Sequence, residues 1–270
     1  MAAGGVNARF RPDFSAFVSN VLRVIPQQLD ETEAHVWYLF PDALSDDALH
    51  EARLLMNAEE RARHDRFVFP EGRREFAFTR ALVRTTLSRY ADVAPKDWRF
   101  SFGPHGRPEI ASSTDLYFNL SNTKGLIACI VGRAAEVGID VESIERNGET
   151  LGIADRFFSP SEATSLRALP AEDQHHRFFH LWTLKEAYIK ARGMGLALPL
   201  DQFSFQIADG VRTRISFDPR LVDEPSTWQF DSFWPSPSHF VATAVRRATT
   251  VPREKLVRIV ERTVTLFTAQ

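Results

Sequence analysis

The sequence contains one cysteine, Cys129, in 270 residues. One thiol cannot close an internal disulfide and offers no zinc-ligand spacing. A disulfide-stapled secreted domain is therefore not expected, and a reducing, cytoplasmic setting is. Cys129 lies in the apolar run Leu126 to Val131, where a free thiol packs as a small hydrophobe. No apolar stretch reaches the length of a membrane span. No continuous apolar segment follows Arg9 and Arg11, so neither a membrane partner nor a secretory signal is expected. An excess of one charge is also missing: 33 Lys and Arg against 35 Asp and Glu leave a formal net charge of −2. That balance gives no general case for nucleic acid or an anionic surface. Phenylalanine, by contrast, is abundant at 22 copies and suits a large packed core. The length permits one large domain or two small ones.

Along the chain, Phe14, Phe17, Val18, Val21 and Leu22 have the spacing of a short amphipathic helix. His35 to Phe40 reads as the first strand. Leu44 to Phe69 reads as two helical pieces capped by Ser45 and Asn57, with Pro70 and Gly72 breaking the run. Arg73 to Tyr90 is a strong amphipathic helix. Its Arg73, Arg80 and Arg84 form either a solvated basic face or phosphate contacts, for which the planar guanidinium is suited. Trp98 to Ile110 reads as a strand and a turn, and Pro108 keeps Arg107 out of helical conformation. Leu116 to Val131 reads as two strands around a polar bend, Ser121-Asn122-Thr123-Lys124-Gly125, with enough donors to hold an anion. Ser159-Pro160-Ser161-Glu162 opens a helix. His175 to Arg192 is a second long helix, stopped by Gly193; its histidines read as surface residues. Strands and turns then alternate to Val245, and a basic tail, Arg246 to Arg262, follows. A long helix followed by Phe-Ser-Phe occurs twice, at 100–102 and at 203–205. The echo suggests two related α+β lobes of about 100 residues each.

The segment Val137-Gly138-Ile139-Asp140-Val141-Glu142 has strict alternation. As a strand it places Val137, Ile139 and Val141 on one face and two carboxylates on the other, with Gly138 leaving room for a ligand to approach the backbone. Such a pair is either a strand end with two solvated acids or half of a site for a hard divalent ion. Glu186 and Lys190 share a face of the second long helix, together with Thr183. They would add a third carboxylate and a compact cation. Three acids and several bases describe an enzyme that holds a polyphosphate through a metal.

GIDVE (Gly138 to Glu142), RFFSPSE (Arg156 to Glu162) and WTLKEAYIKARGMGLALPL (Trp182 to Leu200) resemble the two signature blocks of the 4′-phosphopantetheinyl transferases of the surfactin-synthetase-activating type. The GRP turn at Gly106 to Pro108 and FNLS at Phe118 to Ser121 are similar as well. The resemblance covers roughly residues 35 to 245 and implies two pseudo-symmetric α+β lobes in a monomer, with the active site at the lobe interface. The expected division is an extension at 1–32, lobes at 33–134 and 135–247, and a tail at 248–270. The implied reaction moves the phosphopantetheine arm of coenzyme A to a serine of an apo acyl, peptidyl or aryl carrier protein and releases 3′,5′-ADP. Mg²⁺, with Mn²⁺ as a substitute, would be held by Asp140, Glu142 and Glu186. Glu186 and Lys190 are the implied catalytic pair. Arg63, Arg80, Arg107, Ser121, Asn122, Asp140, Lys185 and Lys190 are the implied coenzyme A contacts, Lys185 serving to position either the phosphates or its helix. Asn122 stands where the family commonly has histidine, so that contact loses a charge. Two alternatives follow: a carrier-binding homologue without activity, and a Mg²⁺-dependent coenzyme A phosphodiesterase.

Overall fold

The alternating and helical patterns resolve into four layers. The structure, a computed structural model, describes residues 27–264 except 147, 209 and 248–254. The helix expected at Phe14 to Leu22 and most of the tail from 248 onward lie outside the described residues. Strands β1 (Glu33–Leu39), β4 (Tyr117–Thr123), β5 (Leu126–Gly132) and β11 (Arg258–Thr263) form a sheet in the order β11-β1-β5-β4. Strands β6 (Val137–Ser143), β9 (Trp228–Ser236) and β10 (His239–Arg246) form a second sheet, β6-β10-β9. Two hairpins flank them, β2 (Phe100–Phe102) with β3 (Pro108–Ile110), and β7 (Phe203–Ala208) with β8 (Val211–Phe217). The helices are α1 (Asp46–Leu54), α2 (Ala58–Asp65), α3 (Pro70–Leu87), α4 (Thr150–Phe157), α5 (Pro160–Arg167) and α6 (Ala171–Arg192).

Helix α3 packs on one face of the first sheet through Phe78, Leu82, Trp37 and Ile127. Helix α6 packs on one face of the second through Leu184, Ala187, Tyr188 and Ala242. The remaining faces of the two sheets meet in a third core of small and β-branched residues, among them Val36, Ile130, Val137, Ile139, Val141 and Val241. This mixed α+β arrangement explains the alternation in β6. Its valines and isoleucine face the other sheet, and its carboxylates face α6. Gly138 sits where β6 meets α6. A Cβ there would lie 2.1 Å from the Ala187 carbonyl oxygen, so the glycine admits the helix backbone and not a ligand.

The two long helices are fastened in the same way. Asn57 caps α2 in a reciprocal box with Glu60, and Glu60 binds Arg84 of α3 at 2.7 Å. Ser159 caps α5 in the same box with Glu162, and Glu162 binds Lys185 of α6 at 2.7 Å. The two cations then donate to carbonyls ahead of or at the start of the Phe-Ser-Phe strands, Arg84 to Pro95 and Trp98, and Lys185 to Leu200 and Phe203. Each cap contributes about 1 kcal/mol.

Several local expectations change. Pro70 opens α3 at its first turn instead of ending the preceding run, because a first-turn proline gives up no helical hydrogen bond. Arg84 is fully buried, and Arg73 donates to the Phe67 carbonyl, so neither lies on a free basic face. Ser121, Asn122 and Thr123 belong to β4, which leaves Lys124 and Gly125 as the turn, Gly125 at φ +83°. The segment expected as a basic tail contains β11, which pairs parallel to β1.

Candidate active site

Asp140 and Glu142 project from β6 toward α6, which carries Glu186 and Lys190 about one turn apart. Lys190 Nζ donates to Asp140 Oδ1 at 2.6 Å and to Ser121 Oγ at 2.8 Å. Ser121 Oγ in turn donates to Asp140 Oδ1 at 2.8 Å and accepts the Val141 N–H at 3.3 Å. The Ser121 hydroxyl is thereby saturated. Asp140 Oδ2 is different: it is buried and has no hydrogen-bond partner among the described residues. An orphaned carboxylate oxygen costs free energy unless something accepts its charge.

Glu142 is held from both sides. Trp182 Nε1 donates to Oε1 at 3.1 Å and Arg146 Nη1 to Oε2 at 3.0 Å. Burial holds its pKa above the usual carboxylate value and Asp140 adds to this, against Arg146. Burial, followed by the charge of Asp140, pushes Glu186 up to about 7, with Lys190 opposing. These shifts report surplus negative charge in a poorly solvated place, an arrangement typical of functional carboxylates. Among the described residues no three His, Cys, Asp or Glu side chains stand together as a formed metal cluster. Asp140 and Glu142 are partnered by two cations, a hydroxyl and an indole. Beside them opens a cavity of about 270 Å³ lined by Arg107, Asn119, Leu120, Glu186, Lys190 and Gly193.

The other expected contacts are dispersed. Asn122, near the end of β4, donates to the Glu75 carboxylate of α3. Arg63 and Arg80 lie over the Phe76 ring, at 5.3 and 5.2 Å from its centroid, and Arg80 is also 4.0 Å from Glu60. Arg107 donates to backbone carbonyls of Ala191, Val137 and Ala135. Lys185 is fully buried against Glu162 and two carbonyls, on the side of α6 away from the cavity. Of the two roles open to it, holding the helix is the one its contacts serve. Three neighbours escaped the sequence reading: Trp182, Arg146 and Asn119. Trp182 precedes Glu186 by four positions and opens the WTLKEAY stretch, and Asn119 lies inside FNLS, so both lie within matched motifs without being singled out. Arg146 has no comparable mark.

Residues 136–245 match the family model of the 4′-phosphopantetheinyl transferase superfamily. Over 168 residues the chain is 36% identical to the 4′-phosphopantetheinyl transferase HetI of Nostoc sp. PCC 7120, a match covering 61% of this chain and 70% of HetI. The chain belongs to the 4′-phosphopantetheinyl transferases. A 4′-phosphopantetheinyl transferase of Bacillus subtilis is 36% identical over 154 residues, 57% of this chain and 67% of that protein. The transferase Sfp of Bacillus subtilis strain 168 is 36% identical over 152 residues, 56% of this chain and 66% of Sfp. The family model spans β6 through α6 to β10, the part of this phosphopantetheinyl transferase that carries Asp140, Glu142, Glu186 and Lys190.

Proposed function

We propose that this phosphopantetheinyl transferase moves the 4′-phosphopantetheine arm of coenzyme A to a serine hydroxyl of an apo acyl, peptidyl or aryl carrier protein. The serine oxygen attacks the phosphorus of the arm, the bond to the bridging oxygen of the pyrophosphate breaks, and 3′,5′-ADP leaves. The observation that carries this reading is Asp140, paired with Lys190 through Oδ1 and left with Oδ2 unpaired, near enough to Glu142 and Glu186 for its charge to raise the pKa of both. An oxygen-only donor set with surplus negative charge fits a hard dication, Mg²⁺ or Mn²⁺. Asp140, Glu142 and Glu186 would hold it, and when bound it would neutralise the pyrophosphate.

The chain's own groups do the rest. Lys190 Nζ holds the leaving phosphate, as a compact cation can. Glu186, at about 7, is matched to taking the serine proton at neutral pH. Ser121 keeps Lys190 and Asp140 in register. Asn122, Arg63 and Arg80 are the proposed outer contacts of coenzyme A, and Lys185 holds α6. The proposed division is two lobes, 33–134 and 135–247, flanked by an extension at 1–32 and a tail at 248–270, acting as a cytoplasmic monomer. Among the described residues no helix is long and apolar enough to cross a membrane.

The test is intact-mass spectrometry of an apo carrier after incubation with the protein, coenzyme A and Mg²⁺. A gain of one phosphopantetheine group, abolished by a chelator, is expected. Folded protein that modifies no acyl, peptidyl or aryl carrier would refute the transfer. Breakdown of coenzyme A without any carrier would assign a phosphodiesterase instead.

A further inference from the structure

Among the described residues, strand β6 has one strand neighbour, β10. Alternate residues of such a strand turn both N–H and C=O away from that neighbour, and these groups need partners elsewhere. In β6 the partners are side chains from the first half of the chain. Arg107 Nη2 donates to the Val137 carbonyl at 3.2 Å. The Ile139 N–H donates to Asn119 Oδ1 at 3.1 Å, and the Val141 N–H to Ser121 Oγ at 3.3 Å. Side chains thus stand where a further strand would pair. Arg107 also reaches the helix. Its Nη1 donates at 2.7 Å to the carbonyl of Ala191, at the C-terminal turn of α6, where carbonyls lack helical partners and negative charge gathers. Gly193 makes room for this: at φ +64°, a Cβ on it would lie 3.2 Å from Arg107 Cδ.

One guanidinium therefore grips both elements that carry the acids, β6 with Asp140 and α6 with Glu186. The geometry points to Arg107 and Asn119 as positioning residues for the transfer: from the first lobe they set the register of β6 against α6, and the Arg107 fork serves three backbone carbonyls instead of a substrate phosphate. The inference rests on the transferase reading. Lysine keeps the charge of Arg107 but not the planar fork that spans two acceptors, which separates a pin from a phosphate contact.

The experiment compares Arg107→Lys, Arg107→Met and Asn119→Leu with the wild type. It measures kcat and KM for coenzyme A at saturating apo carrier, and amide hydrogen exchange in β6. A pin predicts that all three lose about 10-fold or more in kcat while KM for coenzyme A stays within about twofold, since small displacements of reacting groups cost rate and not ground-state binding. It also predicts faster exchange at Ile139 in Asn119→Leu, and across β6 in both Arg107 variants. An active Arg107→Lys beside an Arg107→Met with a roughly tenfold higher KM would make Arg107 a charge contact and overturn the inference. Unchanged exchange in all three would overturn it as well. Absence of transfer by the wild type would refute the transferase reading alone, because the exchange measurement still decides the pin.

Discussion

Replacing Lys185 with methionine should lower stability without weakening coenzyme A binding. The ammonium is fully buried and makes three contacts, Glu162 Oε2 at 2.7 Å, the Leu200 carbonyl at 2.9 Å and the Phe203 carbonyl at 2.7 Å. Its removal leaves Glu162, also buried, with the Ser159 and Phe205 N–H groups and the Ser159 hydroxyl as its donors, and no cation. Breaking one partner of a buried pair costs about 3–5 kcal/mol. For a chain of this size that corresponds to a fall in Tm of roughly 10 °C. The double variant Lys185→Met/Glu162→Leu should recover part of the loss, because it removes both charges together. Calorimetry reads the Tm, and initial rates read KM for coenzyme A, expected within about twofold of wild type. A Lys185→Met protein with wild-type Tm and a strongly raised KM would refute the argument and put Lys185 on the substrate.

Three further outcomes are expected. Glu186 titrates at about 7 in the metal-free protein, so binding of Mg²⁺ at pH 7 should release roughly half a proton, read by calorimetry in buffers of different ionisation enthalpy; Glu186→Gln should abolish the release and lower kcat by about 10²-fold or more. Asn122→Ala should raise KM for coenzyme A several-fold, while an unchanged KM would show that the amide serves only Glu75. Burial, aided by Arg177, pushes His180 down to about 4 from an ordinary 6.5; the unfolded chain then binds more protons between these values, so the neutral ring contributes stability above 6.5 that is lost as pH falls toward 4, at most about 3 kcal/mol, and His180→Phe should flatten that part of a pH–stability curve.

Much of the site was legible because its residues obey local periods. The alternation of Val137 to Glu142 correctly divides a sheet-facing side from a helix-facing side, and the caps at Asn57 and Ser159 mark real helix starts. What stayed hidden depends on partners distant in sequence. Lys185 and Lys190 look alike on one helix, yet one meets Glu162 and the other Asp140; periodicity assigns a face, not its occupant. Arg84 looks like a surface arginine until Glu60 and two carbonyls enclose it. Strand β11 is short and charged, and only its register with β1 makes it a strand. Pro70 reads the same whether it ends one helix or opens the next.

The duplicated fastening separates what the fold requires from what the chemistry requires. Aligned on Arg84 and Lys185, Thr85 of helix α3 stands where α6 has Glu186, and Arg89, just past the end of α3, stands where α6 has Lys190. Thr85 only donates back to its own helix, and Arg89 lies over the Trp37 ring at 4.5 Å. Helix α3 thus keeps the capping box, the buried cation and the carbonyl contacts, but neither the acid nor the lysine of the candidate site. A residue needed only for transfer has no reason to recur on the lobe that lacks the acids. The buried cation recurs and the Glu186–Lys190 pair does not, which places Lys185 in the architecture and fits the proposed roles of Glu186 and Lys190 in transfer.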